Sequence, residues 1–122
     1  VIVEDRAVIG GLSAVHQFCK IGRNAMIGGM ARVTQDVPPF MICAGDPAFV
    51  SGLNSVGLSR AGMPVEERSE LKQAFRILYR SGLPLQEAIS TMEQELTSSE
   101  PMEHLMRFLR NVERGIIRTR RG

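Results

Sequence analysis

The first third of the chain repeats every six residues. A β-branched aliphatic residue opens each hexad, and a small or compact residue takes its fifth place. The first places are held by Val3, Ile9, Val15, Ile21, Ile27 and Val33, and the fifth places by Ala7, Ser13, Cys19, Ala25, Ala31 and Val37. An ordinary half-buried sheet alternates with a period of two instead. The period of six therefore predicts a parallel β-helix, in which short strands joined by tight corners make coils of about three hexads.

Glycine and proline punctuate this repeat. Gly10, Gly22 and Gly28 hold the second place of their hexads, and we interpret them as relaxing the backbone near the corners. Pro38-Pro39 ends the repeat, because proline cannot donate to a strand ladder. About two coils fit before this point, and repeat folds need about three or more units for stability. We therefore expect further coils upstream of Val1.

From about Asn54 onward, apolar residues recur at helical spacing. Three stripes predict three amphipathic helices. They are Leu71, Ala74, Phe75 and Leu78; Leu85, Ala88, Ile89, Met92 and Leu96; and Met102, Leu105, Leu109 and Val112. We expect two units: residues 1–52 form the end of a β-helix whose N-terminal coils are missing, and residues 53–122 form a small α-helical bundle that covers the coil end.

Composition and charge narrow the function classes. Of the 122 residues, 43% are hydrophobic and 23% are charged, which excludes general disorder. The sequence has no apolar run of membrane-spanning length and no leader, so we expect a soluble chain. The net charge of +2 does not indicate nucleic-acid binding. The basic stretch Arg114, Arg118, Arg120 and Arg121 is interpreted as a solvated face or a frayed terminus, with a phosphate-rich or acidic partner as the less favoured alternative.

Few residues have the character of catalytic groups. His16 holds a second place in its hexad, where side chains should face outward and folding does not require an imidazole. His16 and Gln17 therefore either face a ligand or form a tolerated surface pair. His104 is expected to be a surface or interhelical residue, and Cys19 a packed, inert thiol. Neither a metal-ligand cluster, a phosphate loop nor a nucleophile–base constellation is visible, so we expect no metal and no cofactor.

Five segments resemble one known family. Residues 14–22, 26–29, 35–39, 53–60 and 78–82 are similar to the acyl-[acyl-carrier-protein]–UDP-N-acetylglucosamine O-acyltransferases of lipid A biosynthesis. The resemblance covers the last coils and the C-terminal helical domain of that family. It implies a left-handed parallel β-helix in a cytoplasmic homotrimer without a cofactor. The implied reaction transfers a 3-hydroxyacyl chain from acyl carrier protein to the 3-hydroxyl of UDP-N-acetylglucosamine.

The same resemblance implies roles for particular residues. The general-base histidine of the family belongs to a coil upstream of Val1, so this chain contains no catalytic residue and His16 is supporting at most. The implied substrate residues are His16, Gln17, Asn54 and Arg60 for the sugar nucleotide, and Met26, Gly29 and Met30 for the acyl groove. Gly29 leaves room for a long acyl chain.

Three positions depart from the family pattern. Pro47 replaces a histidine, Val56 a carboxylate and Ala61 a guanidinium, which leaves the acyl length and the choice between a 3-hydroxy and a 3-amino sugar open. The fragment alone is expected to be inactive. Two alternatives remain: a hexapeptide-repeat acyltransferase that uses acyl-CoA or an amino-sugar nucleotide, and a non-catalytic trimerisation and ligand-binding module.

Overall fold

The computed structural model describes residues 1–120, so Arg121 of the basic stretch lies outside the described part. Within residues 1–120 the chain forms eight β-strands followed by four α-helices. The strands are β1 (Ile2–Val3), β2 (Val8–Ile9), β3 (Ala14–Val15), β4 (Lys20–Ile21), β5 (Met26–Ile27), β6 (Arg32–Val33), β7 (Met41–Ala44) and β8 (Phe49–Leu53). The helices are α1 (Ser55–Arg60), α2 (Val65–Arg80), α3 (Leu85–Glu95) and α4 (Glu100–Arg110).

Strands β1 to β6 stack in parallel pairs, one coil on the next. β1 pairs with β4, β2 with β5 and β3 with β6, and the first-place aliphatics face their copies in the next coil: Val3 lies opposite Ile21, Ile9 opposite Ile27 and Val15 opposite Val33. Each pair builds one wall of the coil. The predicted three-hexad coil with parallel stacking is confirmed by this register.

The second wall continues beyond the repeat. β7 pairs in parallel with β5, and β8 pairs antiparallel with β7, so this wall contains four strands. The hexad repeat itself ends as predicted at the proline pair, after Val37 has formed a bridge to Ile21. The antiparallel strand β8 was not predicted from the sequence.

The inward-facing positions form the core of the second coil. Ile21, Ile27 and Val33 are fully buried there, together with Cys19, Ala25 and Ala31. In the first coil the equivalent aliphatics are open to solvent, with Val3 48% and Ile9 41% exposed. The predicted inward direction of the first and fifth places is therefore confirmed where a second layer covers them.

The interpretation of the hexad glycines is wrong. The left-handed backbone lies at the fourth place of the hexads, where φ is between 56° and 69° at Arg6, Leu12, Phe18, Asn24 and Met30. The second-place glycines do not have this conformation. Instead, a Cβ on Gly10 would lie 2.5 Å from the backbone nitrogen of Gly29, and one on Gly22 would clash with the backbone of Pro39. Glycine is required at Gly10 and Gly22 because the next part of the coil approaches closely, whereas a Cβ on Gly28 would make an ordinary contact with Ala44 at 3.4 Å.

The three predicted helical stripes form α2, α3 and α4. Pro64 and Pro84 precede α2 and α3, and Gly82, with φ +77°, follows α2. Ser99 caps α4, since its hydroxyl accepts a hydrogen bond from the backbone N–H of Met102. The predicted stripe of α2 is buried throughout, whereas in the other two stripes Leu85, Leu96 and Val112 are only partly buried, and Leu96 and Val112 lie just beyond the ends of α3 and α4. On α4 the buried face also includes Pro101, Met106 and Phe108.

The helices and the coil share one interior. Phe75 of α2 packs into the coil core, whereas Leu71 and Leu78 of the same helix pack among the other helices. Leu53 and Tyr79 contact both groups, and the Tyr79 hydroxyl donates to the carbonyl oxygen of Ile117 at 2.9 Å. Helix α2 therefore contributes to both apolar clusters, one within the coil and one among the helices.

A polar joint fixes α4 against the first two coils. One carboxylate oxygen of Glu4 accepts the backbone N–H of Arg23 and hydrogen-bonds to Nε2 of His104 at 2.8 Å. Arg23 forms an ion pair with Glu100 at 2.7 Å. His104 thus lies between helix and coil, where it has a structural task.

Candidate functional site

The corners of stacked coils align into three edges. The first edge contains residues 4–7 and 22–25, the second contains residues 10–13 and 28–31, and the third contains residues 16–19 and 34–37. Each edge separates two different walls. The position of a side chain on one of these edges decides which other residues it can meet.

His16 and Gln17 lie together on the third edge. The backbone N–H of His16 donates to Val33 at 2.8 Å, so the corner is fixed by its neighbouring coil. Both side chains are exposed and line a cavity of about 120 Å³ with Gln35 and Asp36. The His16 imidazole forms no hydrogen bond or ion pair within the described part of the chain, so it is available to a ligand.

Asp36 anchors the floor of this cavity. It is only 5% exposed, and its carboxylate accepts the backbone N–H of Lys20 at 2.8 Å. Burial raises the pKa of Asp36 above its usual range. Its backbone pairs with the C-terminal segment through Ile116. The Asp36 carboxylate therefore has a structural role, because it holds the backbone of the neighbouring corner at Lys20.

The C-terminal segment adds a residue that sequence reasoning missed. Arg114 places its guanidinium 5.1 Å from the centre of the Phe18 ring, on the same third edge. Residues 116 and 119 form bridges to the rest of the chain, so the frayed-terminus interpretation is wrong for this part of the basic stretch. The sequence offered only an arginine followed by a glycine, Arg114-Gly115. The spacing of residues along the chain could not show that Arg114 contacts Phe18.

Asn54 contacts the first edge, and Arg60 follows it in the last turn of the short helix α1. The Asn54 amide caps α1 by accepting the backbone N–H of Gly57 at 3.2 Å, and it donates to the carbonyl oxygen of Asn24 at 2.9 Å. Asn54 is 8% exposed. Arg60, in the last turn of α1, is exposed and has no hydrogen-bond or ion-pair partner among residues 1–120. Asn54 therefore orients the short helix that presents Arg60, and a direct nucleotide contact of Asn54 stays a prediction.

Met26, Gly29 and Met30 lie along the second wall and the second edge. Met26 is 42% and Met30 70% exposed, and both project outward. Their neighbours in the first coil are also exposed and apolar: Val8 pairs with Met26, and Leu12 holds the place of Met30 one coil earlier. The surface offered here is apolar, which suits the predicted acyl groove but does not test it.

The three groups of predicted residues lie on different parts of the structure: the third edge, the start and end of α1, and the second wall with its edge. The structure brings His16 and Gln17 together and places Arg60 near the Asn54 cap, but it does not bring these pairs to each other or to Met30.

Other candidate chemistry is limited within residues 1–120. Cys19 and Cys43 are free and buried, and burial raises the pKa of the Cys43 thiol to about 11. The described residues contain no group of three or more potential metal ligands. None of their helices combines the length and apolarity needed to cross a membrane.

Comparison with known families decides the relationship. A family model described as UDP N-acetylglucosamine O-acyltransferase, domain 2, matches residues 36–117. The chain belongs to this acyltransferase family. The resemblance read from the sequence is therefore confirmed.

Individual members of the UDP N-acetylglucosamine O-acyltransferase family agree over nearly the whole chain. An acyl-[acyl-carrier-protein]–UDP-N-acetylglucosamine O-acyltransferase from an Anaeromyxobacter species is 48% identical over 95% of this chain and 45% of its own length. One from Verminephrobacter eiseniae is 49% identical over 95% of this chain and 46% of its own length. The chain thus spans about half the length of the curated relatives it matches.

Solved structures give the same relationship. The UDP-N-acetylglucosamine acyltransferase of Bacteroides fragilis superimposes with a TM-score of 0.91 at 39% identity, covering 96% of this chain and 46% of that one. The enzyme of the same family from Acinetobacter baumannii also gives 0.91, at 35% identity over 95% and 45% of the two chains.

Proposed function

We propose that this chain is the C-terminal part of an enzyme that transfers a 3-hydroxyacyl chain from acyl carrier protein to the 3-hydroxyl of UDP-N-acetylglucosamine, at the start of lipid A biosynthesis in the cytoplasm. The observation that carries the proposal is the 48% identity over 95% of the chain to a relative named for this donor and this acceptor. The match of residues 36–117 includes the helical tail and favours the carrier-protein donor over acyl-CoA.

We further propose that the coil is left-handed and that the helices form a bundle covering its end. The coil register and the two structural relatives at a TM-score of 0.91 support this arrangement. Helices α2, α3 and α4 contribute most of a shared apolar cluster. Covering the last coil protects strand edges that would otherwise pair with other chains.

The active assembly in this proposal is a homotrimer. The supporting observation is that His16, Arg60 and Met30 lie on different parts of the structure, because neighbouring copies related by a threefold axis bring different faces together. Exposed apolar side chains on the edges, Leu12 at 88% and Phe18 at 66%, are suited to burial between copies or against an acyl chain.

Within one site, His16 and Gln17 border the sugar, Asn54 and Arg60 serve the nucleotide, and Met26, Gly29 and Met30 line the acyl groove. Arg60 is suited to phosphate oxygens, since a guanidinium offers two parallel N–H donors. A Cβ on Gly29 would lie 3.3 Å from the carbonyl oxygen of Gly11, so glycine keeps this part of the groove open.

The chemical step requires a base that these 122 residues do not provide. The sugar hydroxyl oxygen attacks the thioester carbon, the carrier thiol leaves, and the hydroxyl proton passes through a general base to the departing sulfur. A positioned imidazole contributes roughly 10²–10⁴-fold to such a step. His104 is bound to Glu4 in the helix–coil joint, and no carboxylate orients His16. We therefore assign the base to another segment of the full-length enzyme, and the isolated chain keeps a binding role only.

Substitution of Arg60 tests the nucleotide assignment. A hydrogen bond to a charged group contributes about 1.5–3 kcal/mol, so Arg60→Ala should weaken UDP-N-acetylglucosamine binding by about 10- to 100-fold. Calorimetric titration of the full-length protein measures this. Arg76→Ala, which removes an exposed arginine from α2, is the matched control and should bind like the unchanged protein. Equal affinity of the Arg60 and Arg76 variants would contradict the assignment.

A further inference from the structure

The segment after α4 runs along the third edge and is held there on both sides of Arg114. The side-chain amide of Gln35 donates to the carbonyl oxygen of Arg114 at 2.9 Å. Further on, the backbone N–H of Ile117 donates to the carbonyl oxygen of Asp36 at 2.9 Å, and Ile117 itself is 2% exposed. The backbone position of Arg114 is therefore set by contacts with the coil.

Gly115 makes this path possible. Its φ of +87° belongs to the left-handed region, and a Cβ at this position would lie 2.8 Å from the Gln35 amide nitrogen. The conformation favours glycine, and a larger residue would also have to displace the end of the Gln35 side chain. The turn at Gly115 lets the next residues enter the core while the Arg114 side chain stays outside, above the edge.

An aromatic ring orients the Arg114 side chain. Its guanidinium carbon lies 5.1 Å from the centre of the Phe18 ring, within the range of a cation–π contact. Phe18 follows His16 and Gln17 directly in the chain, so the ring holds the cation beside these two exposed side chains. The guanidinium N–H groups form no hydrogen bond to another side chain or to the backbone within residues 1–120.

The other charged residues that line this cavity form no hydrogen bond or ion pair with the Arg114 guanidinium within residues 1–120. Asp36 accepts the backbone N–H of Lys20, and Lys20 donates its ammonium group to the carbonyl oxygen of Asn111 at 3.2 Å. Glu113 lines the same cavity but forms no ion pair with Arg114 in the described part of the chain. Arg114 is thus a cation with its side-chain donors unused, held in place at a polar cavity.

The volume of the cavity is compatible with a phosphate group. Its volume is about 120 Å³, whereas one water molecule occupies about 30 Å³ in the liquid. The space is large enough for a phosphate group. A guanidinium matches the oxygens of a phosphate in a two-point hydrogen bond.

We propose that Arg114 binds a phosphate oxygen of the sugar nucleotide, beside His16 and Gln17 on the third edge. This inference rests on the proposed function and adds the side chain through which the third edge holds the diphosphate. Phe18 acts as a positioning residue that keeps the guanidinium over the cavity.

Binding of three probes to the full-length protein tests the proposal. Arg114→Ala should weaken both UDP-N-acetylglucosamine and UDP by about 10- to 100-fold and leave the binding of uridine, which has no phosphate, within about twofold. Arg114→Lys keeps the charge but loses the two-point geometry, so it should show an intermediate loss. Phe18→Leu should weaken the two phosphate-bearing probes by a few-fold.

The controls separate a ligand contact from a structural role. Arg76→Ala should leave all three affinities unchanged. Unchanged UDP affinity in Arg114→Ala would overturn the inference, and so would an equal loss for uridine and UDP, since this indicates a distorted edge. If Arg60→Ala weakens binding while Arg114→Ala does not, the inference fails and the proposed function stands. If the unchanged protein binds neither UDP-N-acetylglucosamine nor UDP, the proposed function itself fails.

Discussion

Neighbouring parts of the coil approach most closely where Gly22 lies against the backbone of Pro39. The interior on either side is already filled, because Ile21 and Pro39 are buried. At Gly11, by contrast, an added Cβ meets no atom within 4 Å. Two glycines of the same repeat therefore differ in what a methyl group would encounter.

Gly22→Ala should destabilise the protein because its Cβ has to displace main-chain atoms. Overpacking of this kind costs about 1–3 kcal/mol. Gly11→Ala is the control and should change the free energy of unfolding by less than about 0.5 kcal/mol. Urea denaturation of the two variants measures the difference. Equal midpoints would show that the coils can separate at Gly22 without cost.

For individual residues, the sequence predicted which side chains face inward but not which residues adopt the left-handed corner conformation. First and fifth places share aliphatic or small side chains, so their common environment is visible in the pattern. The fourth places are Arg, Leu, Phe, Asn and Met in successive hexads, which share no side-chain property. Their left-handed backbone follows from the geometry of the corner, and composition does not report it.

Helices α2, α3 and α4 were predictable as elements because each buries a stripe of apolar residues on a polar background. Strand β8 was not, because Phe49–Leu53 has neither the period of six nor a long alternation. Its position depends on pairing with β7 and on the bridge from Val50 to Thr119, both of which are tertiary contacts. Local pattern thus suffices for elements that bury one face and fails for strands set by their neighbours.

The N-terminal cap of α4 offers a test at the level of one element. Ser99→Ala removes the acceptor for the Met102 N–H and should lower the free energy of unfolding by about 1 kcal/mol, whereas Ser99→Gly should cost only a few tenths. Thermal unfolding measures both. Ser69→Ala, on an exposed position of α2, should be close to neutral. A Ser99→Ala variant as stable as Ser69→Ala would show that the cap contributes nothing.

For the whole molecule, the decisive contacts join residues that lie far apart in the chain. Glu4 reaches His104, and Phe18 reaches Arg114. Spacing in the sequence cannot reveal such pairs, so His16 and Gln17 were identifiable as candidates while Arg114 was assigned to a tail. The family relationship was identifiable because its motifs are local and ordered along the chain.

Coil and helices should unfold together, because Leu53 and Tyr79 pack in both parts of the interior. Tyr79 is the only tyrosine and the chain has no tryptophan, so the near-ultraviolet signal of tyrosine reports on the boundary between the two parts. We expect its midpoint in denaturant to coincide with that of far-ultraviolet circular dichroism. Loss of the tyrosine signal at a clearly lower denaturant concentration would indicate that the helices detach from an intact coil.

The left-handed residues at the corners lower the stability of the coil but project their side chains away from it. In this left-handed conformation, a residue other than glycine or asparagine costs roughly 1–2 kcal/mol. Arg6, Leu12, Phe18 and Met30 therefore each lower the free energy of unfolding of the coil. Each of these four side chains is exposed and projects from an edge of the coil. Leu12 combines both effects: it has the strained backbone, and it is an 88% exposed edge residue that we propose is buried between copies or against an acyl chain.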